Sequence, residues 1–169
     1  MNDYITVRFT KELQKMSQSF DCGNQALSSF LKSYEALDDF FGKTYVMLGN
    51  QNTIIGYYNI STGHIENEAN IRIGGTVYIN CLAIDRKYQK KKLGSARYYS
   101  DILFGDCLQR MIDLRDNYIG FAFLTLSSTD EGYNLYSRNG FCELETDMKM
   151  AKNTGEDTCI PMYLPLDYE

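Results

Sequence analysis

The chain has one histidine, two prolines and no C-x-x-C pair, and none of its apolar runs approaches the roughly 20 residues that span a bilayer. Each scarcity excludes something. With His64 alone, and five cysteines at Cys22, Cys81, Cys107, Cys142 and Cys159, zinc-ligand spacing is absent. The cysteines are odd in number and widely spaced, so they read as reduced, mostly buried thiols. His64 sits in a polar stretch with no partner motif and reads as a surface residue. Pro161 and Pro165 both fall near the C-terminal end, and no Pro/Ser linker, repeat or low-complexity stretch divides the chain. One domain over residues 1–169 is expected. Met1–Lys11 lacks the apolar centre of a signal peptide, so the expectation is a cytoplasmic protein with no membrane partner.

What is present is core material and an uneven charge. Hydrophobic residues make up 44% of 169, enough for a sizeable core. The net charge of −5 argues against broad, non-specific nucleic-acid binding, which needs a basic field. Yet Arg86, Lys87, Lys90, Lys91, Lys92 and Arg97 hold six of the seventeen basic residues, with no acid between Arg86 and Ser100. Acids gather instead at Glu143, Glu145, Asp147, Glu156, Asp157, Asp167 and Glu169. A basic cluster on an acidic chain points to a local anion.

The patterning predicts a mixed α/β fold. Tyr4–Phe9 alternates as a strand. Asp21-Cys22-Gly23-Asn24 reads as a turn and cap, after which Leu27, Phe30, Leu31 and Tyr34 recur at helical spacing. Lys43–Leu48 and Thr53–Ile60 are β-rich and joined by the turn Gly49-Asn50-Gln51-Asn52. Thr62–Gly75 is polar and reads as loop. Thr76–Ile84 is apolar on both faces, as a central strand must be. A helix is expected from about Leu93 to Arg115, a buried strand over Ile119–Leu126, and a helix from its cap Thr129 to Asn139-Gly140. Strands follow from Phe141 and over Cys159–Leu164.

The informative stretch is Leu82-Ala83-Ile84-Asp85-Arg86-Lys87-Tyr88-Gln89-Lys90-Lys91-Lys92-Leu93-Gly94-Ser95-Ala96. Read as a buried strand, a basic turn and a helix start, it offers outward backbone N–H groups and the positive end of a macrodipole. Such an end holds phosphate. Gly94 permits close approach and Ser95 is small. The bland alternative is a solvated lysine-rich turn before an ordinary helix.

Gln89-Lys90-Lys91-Lys92-Leu93-Gly94, preceded by Leu82-Ala83-Ile84-Asp85, resembles the Gln/Arg-x-x-Gly-x-Gly/Ala signature of the GNAT superfamily of N-acetyltransferases. Lys92 stands where the first glycine is usual. Gly132–Phe141 resembles the second signature, a helix ending in Leu-Tyr-x-x-x-Gly-Phe, in which Tyr136 matches the tyrosine that protonates the departing thiolate. Phe20-Asp21-Cys22-Gly23-Asn24, running on to Phe30-Leu31, is similar to the opening of the acetyltransferase toxins of bacterial toxin–antitoxin modules. The resemblance implies a GNAT fold, a mostly antiparallel central sheet flanked by helices. It implies acetyl-CoA as co-substrate, no metal, and an amine acceptor, which in those toxins is aminoacyl-tRNA. Candidate cofactor-binding residues are Leu82, Ala83 and Ile84 through their backbone, and Gln89, Lys90, Lys91, Lys92, Leu93, Gly94 and Ser95. Tyr136 is the candidate catalytic acid.

Fourteen tyrosines stand in the chain, so most of them pack rather than react. No carboxylate precedes Asp85 on the central strand, and no base is evident. An α-amine, with a reference pKa near ~8, needs less help than a lysine amine near ~10.4. Lys11, Lys15, Arg86, Lys87, Arg97 and Arg138 are the cations that would border an acceptor mouth and meet tRNA phosphates. Three readings stay open. They are an aminoacyl-tRNA acetyltransferase of toxin type, an acetyltransferase of a small amine or protein N-terminus, and a non-catalytic domain that binds CoA or a partner. An antitoxin and a second copy of the chain are the candidate protein partners.

Overall fold

The computed structural model describes residues 5–151 and 158–166; Tyr4 of the first expected strand and the acids Glu156, Asp157, Asp167 and Glu169 lie outside them. The fold is mixed α/β with a large, mostly antiparallel sheet and flanking helices, as expected. Two compact units divide it, residues 5–60 with 81–110, and residues 61–80 with 111–151 and 158–166.

In the first unit β1 (Ile5–Arg8) pairs antiparallel with β2 (Lys43–Leu48), and β2 with β3, which spans Ile54–Asn67. The third neighbour is β4, Arg72–Ile84. A short α1 (Lys11–Gln14) precedes α2 (Gln25–Lys32). Asn24 caps α2 by accepting from the Leu27 N–H at 3.1 Å. Leu27, Phe30 and Leu31 of α2 then pack onto Phe9, Phe20, Val46, Tyr57 and Ala83. Tyr57, fully buried, meets Phe20 edge-on at 5.6 Å and donates its hydroxyl to the Leu27 carbonyl at 2.6 Å. Gly56 is required where β3 crosses β4, because a Cβ there would stand 2.7 Å from the Ala83 carbonyl oxygen.

The first turns of α3 (Tyr99–Asn117) bury Ile102, Leu103, Phe104 and Cys107. The same helix carries a polar clamp. Tyr58 donates to Asp106 at 2.7 Å, Arg110 donates to the Tyr58 oxygen at 2.7 Å, and the guanidinium lies 4.0 Å from the Tyr45 ring centre.

In the second unit β7 (Phe123–Ser128) runs parallel to β4, the chain having returned through α3. Antiparallel to β7 lies β10 (Ile160–Pro165), which also pairs with β8 (Cys142–Glu143). A short β9 (Met148–Met150) pairs with the far end of β3. Between β7 and β8, α4 (Asp130–Arg138) begins at Thr129, whose hydroxyl accepts from the Gly132 N–H at 3.3 Å. Gly140, at a φ of +92°, ends it.

Two differences from the sequence reading bear on the sheet. Thr62–Gly75 is not a loop, since β3 and β4 extend through it as two long strands. They are closed by Asn67, whose side chain accepts from the N–H groups of Ala69 at 3.0 Å and Ile71 at 2.9 Å. The strand over Ile119–Leu126 starts later, at Phe123.

Candidate active site

At the end of β4 the Asp85 N–H reaches the Ile55 carbonyl of β3 at 2.8 Å. The Asp85 residue is only 5% exposed. Its carboxylate tolerates that burial because it accepts from the Asp21 N–H at 3.0 Å and the Lys87 N–H at 2.9 Å. Its carbonyl accepts from the N–H groups of Tyr88 at 2.8 Å and Gln89 at 3.2 Å, which folds the turn. The Gln89 side chain then donates to the carbonyls of Cys22 at 2.7 Å and Ile84 at 2.8 Å. Arg86 closes the junction, donating its N–H to the Asp21 carbonyl at 2.8 Å and pairing with the Asp21 carboxylate at 3.4 Å. Gln89, expected among the cofactor-binding residues, therefore places its side chain on the protein's own backbone. The Phe20–Gly23 segment and the signature turn are one hydrogen-bonded assembly. Asp21 and Asp85 organise it; each stands in a motif the sequence shows, but their contact is tertiary and the sequence does not show it.

Beyond Gln89 the expected helix start is corrected. The helix does not open near Leu93. A two-stranded ribbon intervenes, β5 (Lys92–Leu93) against β6 (Arg97–Tyr98), and α3 begins at Tyr99 with Asp101 in its first turn. The physical reason is charge and chirality. Lysines at a helix N-terminus oppose the macrodipole and one another. Gly94 takes a φ of +65°, which turns the ribbon and interrupts a right-handed helix. This turn therefore offers no helix-terminal amides. What the ribbon presents instead is exposed charge: Lys87, Lys90, Lys91, Lys92 and Arg97 all stand in solvent. The Lys92 ammonium lies 5.0 Å over the Tyr98 ring, so the residue in the place of the usual glycine props the ribbon. No atom lies within 4 Å of where a Gly94 side chain would begin, and Ser95 beside it is exposed. An open glycine among five cations fits a polyphosphate group.

The backbone candidates divide by direction. Alternate residues of a strand turn their N–H and C=O to opposite neighbours. Ala83 directs its carbonyl at Gly56, and the Asp85 N–H also faces β3. Leu82 and Ile84 therefore face away from β3. Among the described residues the β4–β7 ladder covers Thr76–Ile79 opposite Phe123–Leu126, so both lie beyond it.

In the second unit Tyr136 is 8% exposed on α4. Its ring covers Gly132, where a Cβ would meet it at 3.0 Å, and lies 6.2 Å from Phe141. Gly140 lets the chain turn so that the Phe141 N–H reaches the Tyr136 carbonyl at 3.2 Å. The Gly-Phe end of the second signature thus fixes the backbone of its tyrosine. Tyr133 on the same helix donates to Glu143 at 2.9 Å.

Other titratable groups are structural. Burial pushes the Cys81 thiol up to about 12 and raises the Cys107 thiol and the Tyr57 hydroxyl. His64 is not a lone surface residue. It lies 3.2 Å from Glu66, which also meets Lys149 at 3.5 Å. Of the cations expected near an acceptor, Lys11, Lys15, Arg86, Lys87, Arg97 and Arg138 are all exposed. Among the described residues there is no metal-binding cluster, and no helix is long and apolar enough to cross a membrane.

No family model and no curated protein matches the sequence. Solved structures do. AtaTR bound with AcCoA is similar at 19% identity and a TM-score of 0.74, over 98% of this chain and 95% of that one. AtaT complexed with acetyl-methionyl-tRNAfMet is similar at 21% identity and 0.68, over 96% and 95%. A tyrosine-to-phenylalanine mutant of KacT is similar at 16% identity and 0.72, over 97% and 95%. Over nearly its whole length the chain shares the fold of these AtaT and KacT structures.

Proposed function

We propose that the protein is an N-acetyltransferase that moves the acetyl group of acetyl-CoA to the α-amine of aminoacyl-tRNA, as a toxin in the cytoplasm with a cognate antitoxin. The observation that carries this reading is the likeness, over 96% or more of the chain, to AtaT structures holding AcCoA, acetyl-methionyl-tRNAfMet and the antitoxin C-terminus.

Acetyl-CoA supplies a thioester acyl group and a strongly anionic nucleotide end. Lys90, Lys91, Lys92 and Arg97 attract that end, and Gly94 with Ser95 leaves room for phosphate beside the backbone. Asp85 and Gln89 act one step back, holding the turn in shape. The Leu82 backbone groups and the Ile84 N–H, facing away from β3, serve the acyl arm, the Ile84 carbonyl being taken by Gln89, and one N–H polarises the acetyl oxygen. Tyr136 gives the proton that the leaving thiolate takes up, while the attacking nitrogen sheds its extra proton to solvent, which returns one to the tyrosine. The acceptor amine attacks in its neutral form, and an α-amine reaches that form near neutral pH.

The net charge of −5 favours a second reading, a small amine or protein N-terminus as acceptor, because a tRNA ligand wants a wide basic surface. A thiol-release assay with acetyl-CoA separates the two. Aminoacyl-tRNA and a panel of small amines are offered in parallel, and release above background with aminoacyl-tRNA alone supports the first reading. Release with small amines alone supports the second, and release with neither contradicts both.

A further inference from the structure

Along one face of β4 stand Tyr78, Asn80, Leu82 and Ile84. Tyr78 is 3% exposed and Ile84 8%, but Asn80 and Leu82 between them are half-buried. On β3 the residues Ile54–Ile60 are all buried, and Ser61 is the first that is not. These two lapses coincide. Asn80 donates from Nδ2 to the Ser61 hydroxyl at 2.9 Å, and that hydroxyl donates at 3.2 Å to Oδ1, an oxygen with two lone pairs. The neighbouring Tyr78 donates to Ser127 at 2.9 Å. The ladder between β4 and β7 ends at Ile79 opposite Leu126, one residue before Asn80.

A hydroxyl–amide pair in the middle of two long strands is a poor choice for packing. An aliphatic pair there would bury apolar surface with no polar group to satisfy. The pair sits where the covering of β4 lapses, one step along the strand's face from Leu82. We infer that the Ser61–Asn80 pair binds the acceptor's α-aminoacyl group, with the Asn80 amide oxygen accepting from the amine and Ser61 holding the amide's orientation. The inference rests on the acetyltransferase reading.

The chemistry favours this acceptor class in two ways. A primary amide carries an acceptor and donors side by side. An α-aminoacyl group is its complement, an amine N–H with a carbonyl oxygen close by. A lysine side-chain amine has no such carbonyl. The pair is also neutral. A carboxylate at this place would favour the ammonium form and delay attack until higher pH, whereas an amide leaves the amine's own titration in place. Asn80 is thus a selector for amines that are already partly neutral, and no base is needed beside it.

The test uses the full-length protein with methionyl-tRNA, methionine amide and Nα-acetyl-lysine amide as acceptors, and the variants Asn80→Ala, Asn80→Asp and Ser61→Ala. Asn80→Ala should raise the acceptor KM for the two α-amines about tenfold. Asn80→Asp keeps size and shape and should move the midpoint of the kcat/KM pH profile up by ~1 unit. Ser61→Ala removes only a hydroxyl and should raise acceptor KM by a smaller factor. In all three the thermal shift given by acetyl-CoA should match wild type. Wild-type acceptor KM and pH midpoint in the variants, with the acetyl-CoA shift intact, would overturn the assignment of Asn80 and Ser61 alone. A wild-type protein that binds acetyl-CoA and acetylates none of the probes would overturn the parent reading, and this inference with it.

Discussion

Gln89 donates its side-chain amide to the Cys22 carbonyl at 2.7 Å, fastening the opening segment of the chain to the turn that leaves the central strand. The same amide takes the Ile84 carbonyl at 2.8 Å. Removing it leaves two backbone acceptors without that partner, one of them partly buried. Gln89→Ala should cost about 1–3 kcal/mol in urea unfolding with an unchanged denaturant slope. A loss below ~0.5 kcal/mol would show that Asp85 and Asp21 hold the junction without it.

Gly94 stands at a φ of +65° in open space. Gly94→Ala should therefore cost only ~1 kcal/mol, the conformational penalty alone. Gly94→Glu should cost a similar amount and also remove the thermal stabilisation by acetyl-CoA, since a carboxylate would face the phosphates. Wild-type protein at a ligand concentration about 100 times Kd gains ~2.7 kcal/mol, well within the reach of a melting experiment. An unchanged shift in Gly94→Glu would move the phosphate site away from the ribbon.

Tyr136→Phe removes one hydroxyl from a ring already packed on Gly132 and Phe141. The fold and acetyl-CoA affinity should stay near wild type while kcat falls about 10²- to 10⁴-fold. A fall below about threefold would remove Tyr136 from the chemistry.

Two thiols shielded by the core, half-buried Cys81 and buried Cys107, set an alkaline limit on stability. The Cys81 thiol is held near 12 against an ordinary 9.0, and Cys107 shifts the same way. Between about pH 9 and pH 12 the unfolded chain has lost protons that the folded one keeps. Stability is therefore fully present below about pH 9 and declines as pH rises through that window. Urea unfolding across the window should show the decline, and Cys81→Ala should make it shallower. A flat profile in wild type would contradict the burial of these thiols.

Part of this architecture was legible in the sequence. β4 could be read because Val77, Ile79 and Ala83 on one face and Tyr78 and Ile84 on the other leave no solvent side. α4 could be read because Thr129 and Asn139-Gly140 mark both of its ends. The β3–β4 extension was hidden because the β3 residues from Ser61 onward, apart from the buried Ile65, are partly or fully solvated, and polarity there looks like a loop. The β5–β6 ribbon was hidden because strands of two residues have no period to detect. Around the turn, the exposed lysines and the open Gly94 were readable as a candidate anion site, but the Asp21–Asp85 contact spans 64 residues and leaves no local trace. The same holds for the meeting of Ser61 and Asn80, whose partnership depends on strand register.

Mass spectrometry of tRNA decides whether the protein acetylates aminoacyl-tRNA. Charged tRNA is incubated with the protein and acetyl-CoA, then digested so that each aminoacyl-adenosine is weighed. Wild type should yield aminoacyl-adenosine heavier by one acetyl group, and Tyr136→Phe should yield almost none. Unmodified aminoacyl-adenosine after incubation with folded protein that demonstrably binds acetyl-CoA would contradict acetyl transfer to aminoacyl-tRNA.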